Sequence, residues 1–123
     1  MLLDTLSFGT FNEVEPNIME IIINEGEVFD EEKIALIEEA LLEKYSGPFC
    51  VLVNRLHPYH HTEGSMARVA KFKNAIAFAI VIYNVTGETF AKMHKHFQEN
   101  IEVFQDKEKA VEWLRGKLSK HRQ

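Results

Sequence analysis

Hydrophobic and polar positions change period several times along the chain, and each change marks an element. Leu6, Phe8, Thr10 and Asn12 alternate with Ser7, Gly9, Phe11 and Glu13. This imperfect period of two predicts an edge strand. Glu15-Pro16-Asn17 supplies turn chemistry, and residues 18–23, Ile-Met-Glu-Ile-Ile-Ile, follow as a second strand antiparallel to the first. After Asn24-Glu25-Gly26-Glu27, Asp30 reads as a helix N-cap, with Glu31 and Glu32 at the favourable end of the helix dipole. Ile34, Ile37, Leu41 and Tyr45 then form one apolar stripe, and Ser46-Gly47-Pro48 predicts a stop through a left-handed glycine.

Residues 49–53 and 75–83 are continuous apolar runs, the pattern of strands covered on both faces. Between them lie a polar segment, residues 54–64, and a short helix over 65–72 with Met66, Val69 and Ala70 inward. Thr86 caps a predicted helix reaching about Gln98, with Phe90, Met93 and Phe97 on its core side. Residues 101–104 give a last strand. Asp106 caps a final helix that buries Ala110, Val111, Leu114 and Leu118, with residues 119–123 expected to fray. The order β-β-α-β-α-β-α-β-α implies an α/β domain. We expect a single-layer, mostly parallel mixed sheet of about five strands, with an antiparallel edge strand and about four flanking helices.

Composition narrows the class. At 123 residues, 46% hydrophobic and 27% charged, the chain fits one globular domain spanning 1–123. Its single cysteine, Cys50, sits inside an apolar run without a second thiol, which suits a reducing compartment and a cytoplasmic location. No apolar stretch approaches the ~20 residues of a membrane span. We expect no membrane insertion, and the start of the chain does not read as a signal peptide. The net charge of −5 argues against nucleic acid as a partner. Residues 1–63 carry 3 Lys/Arg against 13 Asp/Glu, a net −10, whereas residues 64–123 carry 11 against 6, a net +5. Such halves complement each other within the fold or across a homodimer, or else leave a basic docking face in the second half.

Candidate chemistry is sparse. The chain has no phosphate-cradling P-loop, no dinucleotide-binding glycine motif, no nucleophile elbow and no H-E-x-x-H pair. We therefore expect a non-enzymatic protein without a cofactor. His57, His60 and His61 beside Glu63 carry donor types that zinc or nickel uses, and the segment follows the C-terminal end of a buried strand. The adjacent pair His60-His61 points in opposite directions when extended, so a metal site needs a special loop. Loop packing, or contact with a ligand or partner, is the competing reading for Arg55, His57, Tyr59, His60 and Thr62. Arg55 either holds an anion or pairs with a helix carboxylate. Phe72, Phe90 and Phe97 are expected to fill a closed core without a pocket above about 300 Å³, with an apolar ligand cavity as the alternative.

The ordered pattern resembles the STAS superfamily, and more closely its SpoIIAA-like branch of small bacterial proteins, whose layout is shared with lipid-transfer domains of the CRAL-TRIO type. The features that carry the likeness are the strand pair ahead of a capped helix, the runs 49–53 and 75–83, and the ending Val103-Phe104-Gln105-Asp106-Lys107-Glu108-Lys109-Ala110-Val111-Glu112-Trp113-Leu114. The resemblance implies a regulatory or scaffolding module that binds a protein partner, with carriage of a small apolar ligand as the alternative. Metal binding at the His57/His60/His61 loop, which rests on those residues and not on the resemblance, is a second. It also implies a phosphorylation switch at the start of the helix after the central strand. The matching stretch here is Thr62-Glu63-Gly64-Ser65-Met66, with Ser65 near the switch position and Arg68 on the same docking face. An ordinary N-cap is the other reading of Ser65. Trp113 and Leu114 are expected to anchor the last helix on the sheet.

Overall fold

The structure is a computed structural model, and it describes residues 2–57, 59–62, 68–69, 71–83 and 100–122, without the side chains of His61 and Arg122. A 3-10 turn at Leu2–Thr5 buries Leu3 completely. The first two strands, β1 (Gly9–Glu15) and β2 (Ile18–Ile23), pair antiparallel as the alternation and turn predict. Their register shifts between Glu13 and Glu15, a local irregularity before the turn. Asn17 takes the left-handed conformation (φ 67°) there, and its side-chain amide donates to the Pro48 carbonyl at 2.9 Å. Gly9 is fixed by close approach of β2, since a Cβ at that position would lie 2.7 Å from the Ile22 carbonyl oxygen.

After a two-residue strand, β3 (Val28–Phe29), Asp30 caps α1 (Glu31–Lys44) by accepting from the Lys33 N–H at 3.0 Å. Ile34, Ile37, Ala40 and Leu41 are fully buried along one stripe. The helix does not end through a left-handed Gly47. Tyr45 instead leaves in extended conformation (φ −112°), its N–H bonded to the Leu41 carbonyl, and Gly26 is the glycine with positive φ among the described residues. The remaining described elements are β4 (Phe49–Asn54), β5 (His60–His61), β6 (Ala75–Val81), β7 (Ile101–Phe104) and α2 (Lys107–Arg122).

The main sheet has the order β1-β2-β4-β6-β7, with every pair parallel except β1 and β2. It is the expected five-stranded mixed sheet with an antiparallel edge strand. Two departures stand beside that agreement. β3 and β5 form a separate parallel ladder that the pattern does not foretell. The count of about four helices is not matched, because two α-helices are found among the described residues. Of the two intervening helices expected, 86–98 lies outside the described residues, and half of 65–72 does; within that stretch Arg68 and Val69 are helical, whereas Lys71 and Phe72 are not. The last helix runs to Arg122, so most of the segment expected to fray is helical, because Leu118 is buried and holds it down.

Alternation within the strands divides the interior in two. On one face Met19, Ile21, Val51, Val53, Phe78 and Ile80 pack against α1, with Val69 and Phe72 in the same cluster. α1 lies in the connection between the parallel neighbours β2 and β4, and such crossovers are almost always right-handed. On the other face Ile18, Cys50, Leu52, Ala77, Ala79 and Val81 pack against Ala110, Leu114 and Leu118 of α2. Trp113 is only partly buried and leans on Phe104, ring centroids 5.7 Å apart, so Leu114 rather than Trp113 is the anchor.

Cys50 lies beneath α2 with its Sγ 3.8 Å from the Leu114 carbonyl, and burial pushes its thiol up to about 12. The thiolate is the reactive species. The native protein at neutral pH is therefore expected to resist thiol reagents and to react at the unfolded rate once denatured. Rapid labelling of the native protein in an Ellman assay would contradict the packing described here.

Candidate functional site at the C-terminal edge of the sheet

The segment after β4 leaves the C-terminal edge of the central strands, where open α/β sheets place ligand and partner sites. Its path is set first by the backbone. The Arg55 N–H donates to the Val81 carbonyl at 2.9 Å, extending the β4–β6 pairing by one residue. The chain then returns to β3, where Val28 pairs with His60 and Phe29 with His61. The His60 N–H donates to the Glu27 carbonyl at 3.0 Å and the Thr62 N–H to the Phe29 carbonyl at 3.3 Å.

Side chains along this path divide sharply. Tyr59 is buried, edge-on to Phe29 at 6.0 Å, and the Arg55 guanidinium covers its ring at 4.6 Å. Burial raises the Tyr59 hydroxyl pKa, with Arg55 acting in the opposite direction. Leu56, His57, His60 and Thr62 are exposed. Arg68 is drawn away to α1, its guanidinium 2.6 Å from Glu38. Burial works against the Glu38 carboxylate, but the bonds from Arg68 and from the Lys73 N–H outweigh it and hold the pKa below the usual value. Ser65 and Glu63 lie outside the described residues. Among the described residues no three His, Cys, Asp or Glu side chains gather as metal ligands.

A second cluster at the same edge, on the α2 face, was missed by sequence reasoning. Glu20 is 3% exposed in the middle of β2, and Asn54, at the end of β4, is 5% exposed. Asn54 donates to Glu20 Oε2 at 2.9 Å, Asn12 donates to Oε1 at 3.4 Å, and the Lys107 Nζ at the start of α2 lies 2.8 Å from Oε2. The Tyr83 hydroxyl donates to the Asn54 side-chain oxygen at 2.8 Å. Burial raises the Glu20 pKa, yet Lys107, Asn54 and Asn12 together hold it below its ordinary value. This network ties β1, β2, β4, the end of β6 and α2 into one unit. The signal was present: a glutamate inside the apolar run 18–23 must find partners if both faces are covered.

Beside this cluster, an open groove of about 640 Å³ runs between β1 and α2, lined by Val14, Glu15, Lys107, Val111 and Arg115 among others. Arg115 forks onto Glu15 across it, with the Nε bond at 2.9 Å. This groove is open to solvent and is distinct from the interior cavity that an apolar ligand would need. In the interior, Phe72 packs edge-on against Phe78 at 5.9 Å, while Phe90 and Phe97 lie outside the described residues.

Among the described residues no helix is long and apolar enough to cross a membrane. Comparison with protein-family models, with curated proteins and with solved structures finds no match to this chain.

Proposed function

We propose that the protein is a non-enzymatic regulatory or scaffolding module that binds a protein partner at the C-terminal edge of its sheet. One observation carries this reading. Of the four large apolar side chains exposed among the described residues, three sit at that edge: Val28 at 46%, Leu56 at 52% and Tyr83 at 38% exposure. Leu56 and Tyr83 each follow by two residues the paired positions Asn54 and Val81, so they leave the sheet side by side. Val28 pairs with His60 on the neighbouring ladder. Single exposed apolar residues are ordinary, but a cluster on a rigid frame beside exposed polar groups suits a docking patch. His57, His60 and Thr62 supply the polar part of that patch.

The likeness to the SpoIIAA-like branch of the STAS superfamily belongs to the same proposal. Parallel neighbours need a crossover of a dozen or more residues. The β4–β6 and β6–β7 connections are long enough for the two further helices of that layout. Ser65 is retained as the candidate phosphate acceptor and the cytoplasm as the location, which a buried unpaired thiol suits.

The test is affinity capture from the source cells with wild-type chain and with the double variant Leu56→Asp/His60→Asp, whose exposed positions spare the core. A partner retained by the wild type and lost by the folded variant supports the reading. Equal capture by both moves the docking surface elsewhere, and an apolar molecule extracted at one per chain favours the carrier alternative.

A further inference from the structure

The charge asymmetry between the two halves of the chain becomes specific once the helices are placed. On α1 the side opposite the buried stripe carries Glu32, Leu36, Glu39 and Glu43, spaced 4, 3 and 4 residues apart and all exposed, Leu36 by 40%. Among the described residues Glu32, Glu39 and Glu43 pair with no cation, although Glu38 and Glu13 nearby do. On α2 one flank carries Lys109, Trp113, Lys117 and Lys120, bordering an open groove of about 540 Å³ together with Glu112 and Gly116. The Lys117 ammonium lies over the Trp113 ring at 5.1 Å, and Lys109 and Lys120 are exposed. At 1.5 Å rise per residue, each stripe is about 16 Å long.

These two stripes cannot meet within one molecule, because α1 and α2 cover opposite faces of the sheet. We propose that the α2 flank receives the α1 face of a second copy of this chain, in a head-to-tail association. Laid in parallel, the spacing brings Glu32 to Lys109, Leu36 to Trp113, Glu39 to Lys117 and Glu43 to Lys120. The apolar pair is thereby flanked by opposite charges on both sides. Antiparallel docking would set Glu39 against Trp113 and Leu36 against Gly116 and Lys117, which matches less well. A contact between two different surfaces does not close on itself in a dimer, so it builds rings or open chains. One helix against one helix buries less than a standard interface, so the association is weak and rests heavily on charge. This surface is separate from the sheet-edge patch, and the inference stands or falls independently of the proposed docking function.

Sedimentation velocity of the full chain tests it. The wild type is expected to form species larger than a monomer at low salt and to lose them as salt rises, since screening shortens from about 30 Å at 0.01 M to about 3 Å at 1 M. The variant Lys109→Glu/Lys117→Glu/Lys120→Glu and the variant Glu32→Lys/Glu39→Lys/Glu43→Lys should each be monomeric alone, because both of their stripes then carry one sign. Mixed together at equal concentration, the two variants should associate again, since each offers the stripe that the other lacks. Circular dichroism checks that both keep the fold. A wild type that stays monomeric at low salt overturns the proposal, even if the α2 groove then takes up an acidic peptide. Association that persists in either variant alone, or fails to return in the mixture, overturns it as well.

Discussion

Shortening Leu114 to alanine is expected to cost about 2–5 kcal/mol of stability, whereas the same change at Trp113 costs only about 1–2 kcal/mol. The difference follows from how α2 meets the sheet. Beneath it, β6 presents Ala77 and Ala79, and β4 presents Cys50 and Leu52, all fully buried. The small alanines let the helix approach closely, and Leu114 fills the space over them with no exposed surface of its own. Its removal leaves a void that close-packed neighbours fill only in part. Trp113 lies at the rim, partly wet, with Phe104 on one side and Lys117 over its ring. Part of its area stays in contact with water in the folded state, so less is lost when it is cut back. Denaturant midpoints of the two variants, read with unchanged slopes, check the order. A larger loss at Trp113 than at Leu114 would show that the helix is held from its flank.

Replacing Glu20 by alanine is expected to cost roughly 2–3 kcal/mol at neutral pH. That is below the about 3–5 kcal/mol for breaking a fully buried pair, because Lys107 is 44% exposed and can turn to water. Asn54 cannot, and its amide would be left without the acceptor that now satisfies it. The sign of the pH dependence follows from the direction of the shift. The folded carboxylate has a pKa below the ordinary 4.5, so its contribution is fully present above that pH. It is lost as the pH falls through the lowered folded value. The stability gap between wild type and Glu20→Ala is therefore expected to be wide near neutrality and to narrow under acid. Thermal unfolding of both proteins across the acid range measures it, and a gap that widens on acidification would contradict the charged, bonded state of Glu20.

Periodicity carried the main sheet because its strands are long enough for apolar runs and alternation to repeat. Asp30 and Asp106 were readable as caps, since each acts on residues within three positions of itself. Gly47 misled for a related reason. Ser46-Gly47-Pro48 has the chemistry of a left-handed stop, but Tyr45 turns extended first, its ring stacked on Phe49 at 5.2 Å and its hydroxyl on Glu13. The β3–β5 ladder was invisible because two residues have no period, and its pairing depends on where the loop after β4 comes to lie. The Glu20 network was equally hidden. Its partners Asn12, Asn54 and Lys107 come from three separate elements, and only the assembled sheet makes them neighbours. Of the residues singled out on the loop, His57, His60 and Thr62 remain open to a partner, whereas Tyr59 and Arg68 are engaged with the fold itself.

Hydrogen–deuterium exchange on the chain, free and bound to its captured partner, tests the central claim most directly. Binding at the sheet edge predicts slowed exchange in residues 55–62, around Val28 and at Tyr83, with the outer faces of α1 and α2 unchanged. Protection confined to the helices, with no change in residues 55–62, would contradict it.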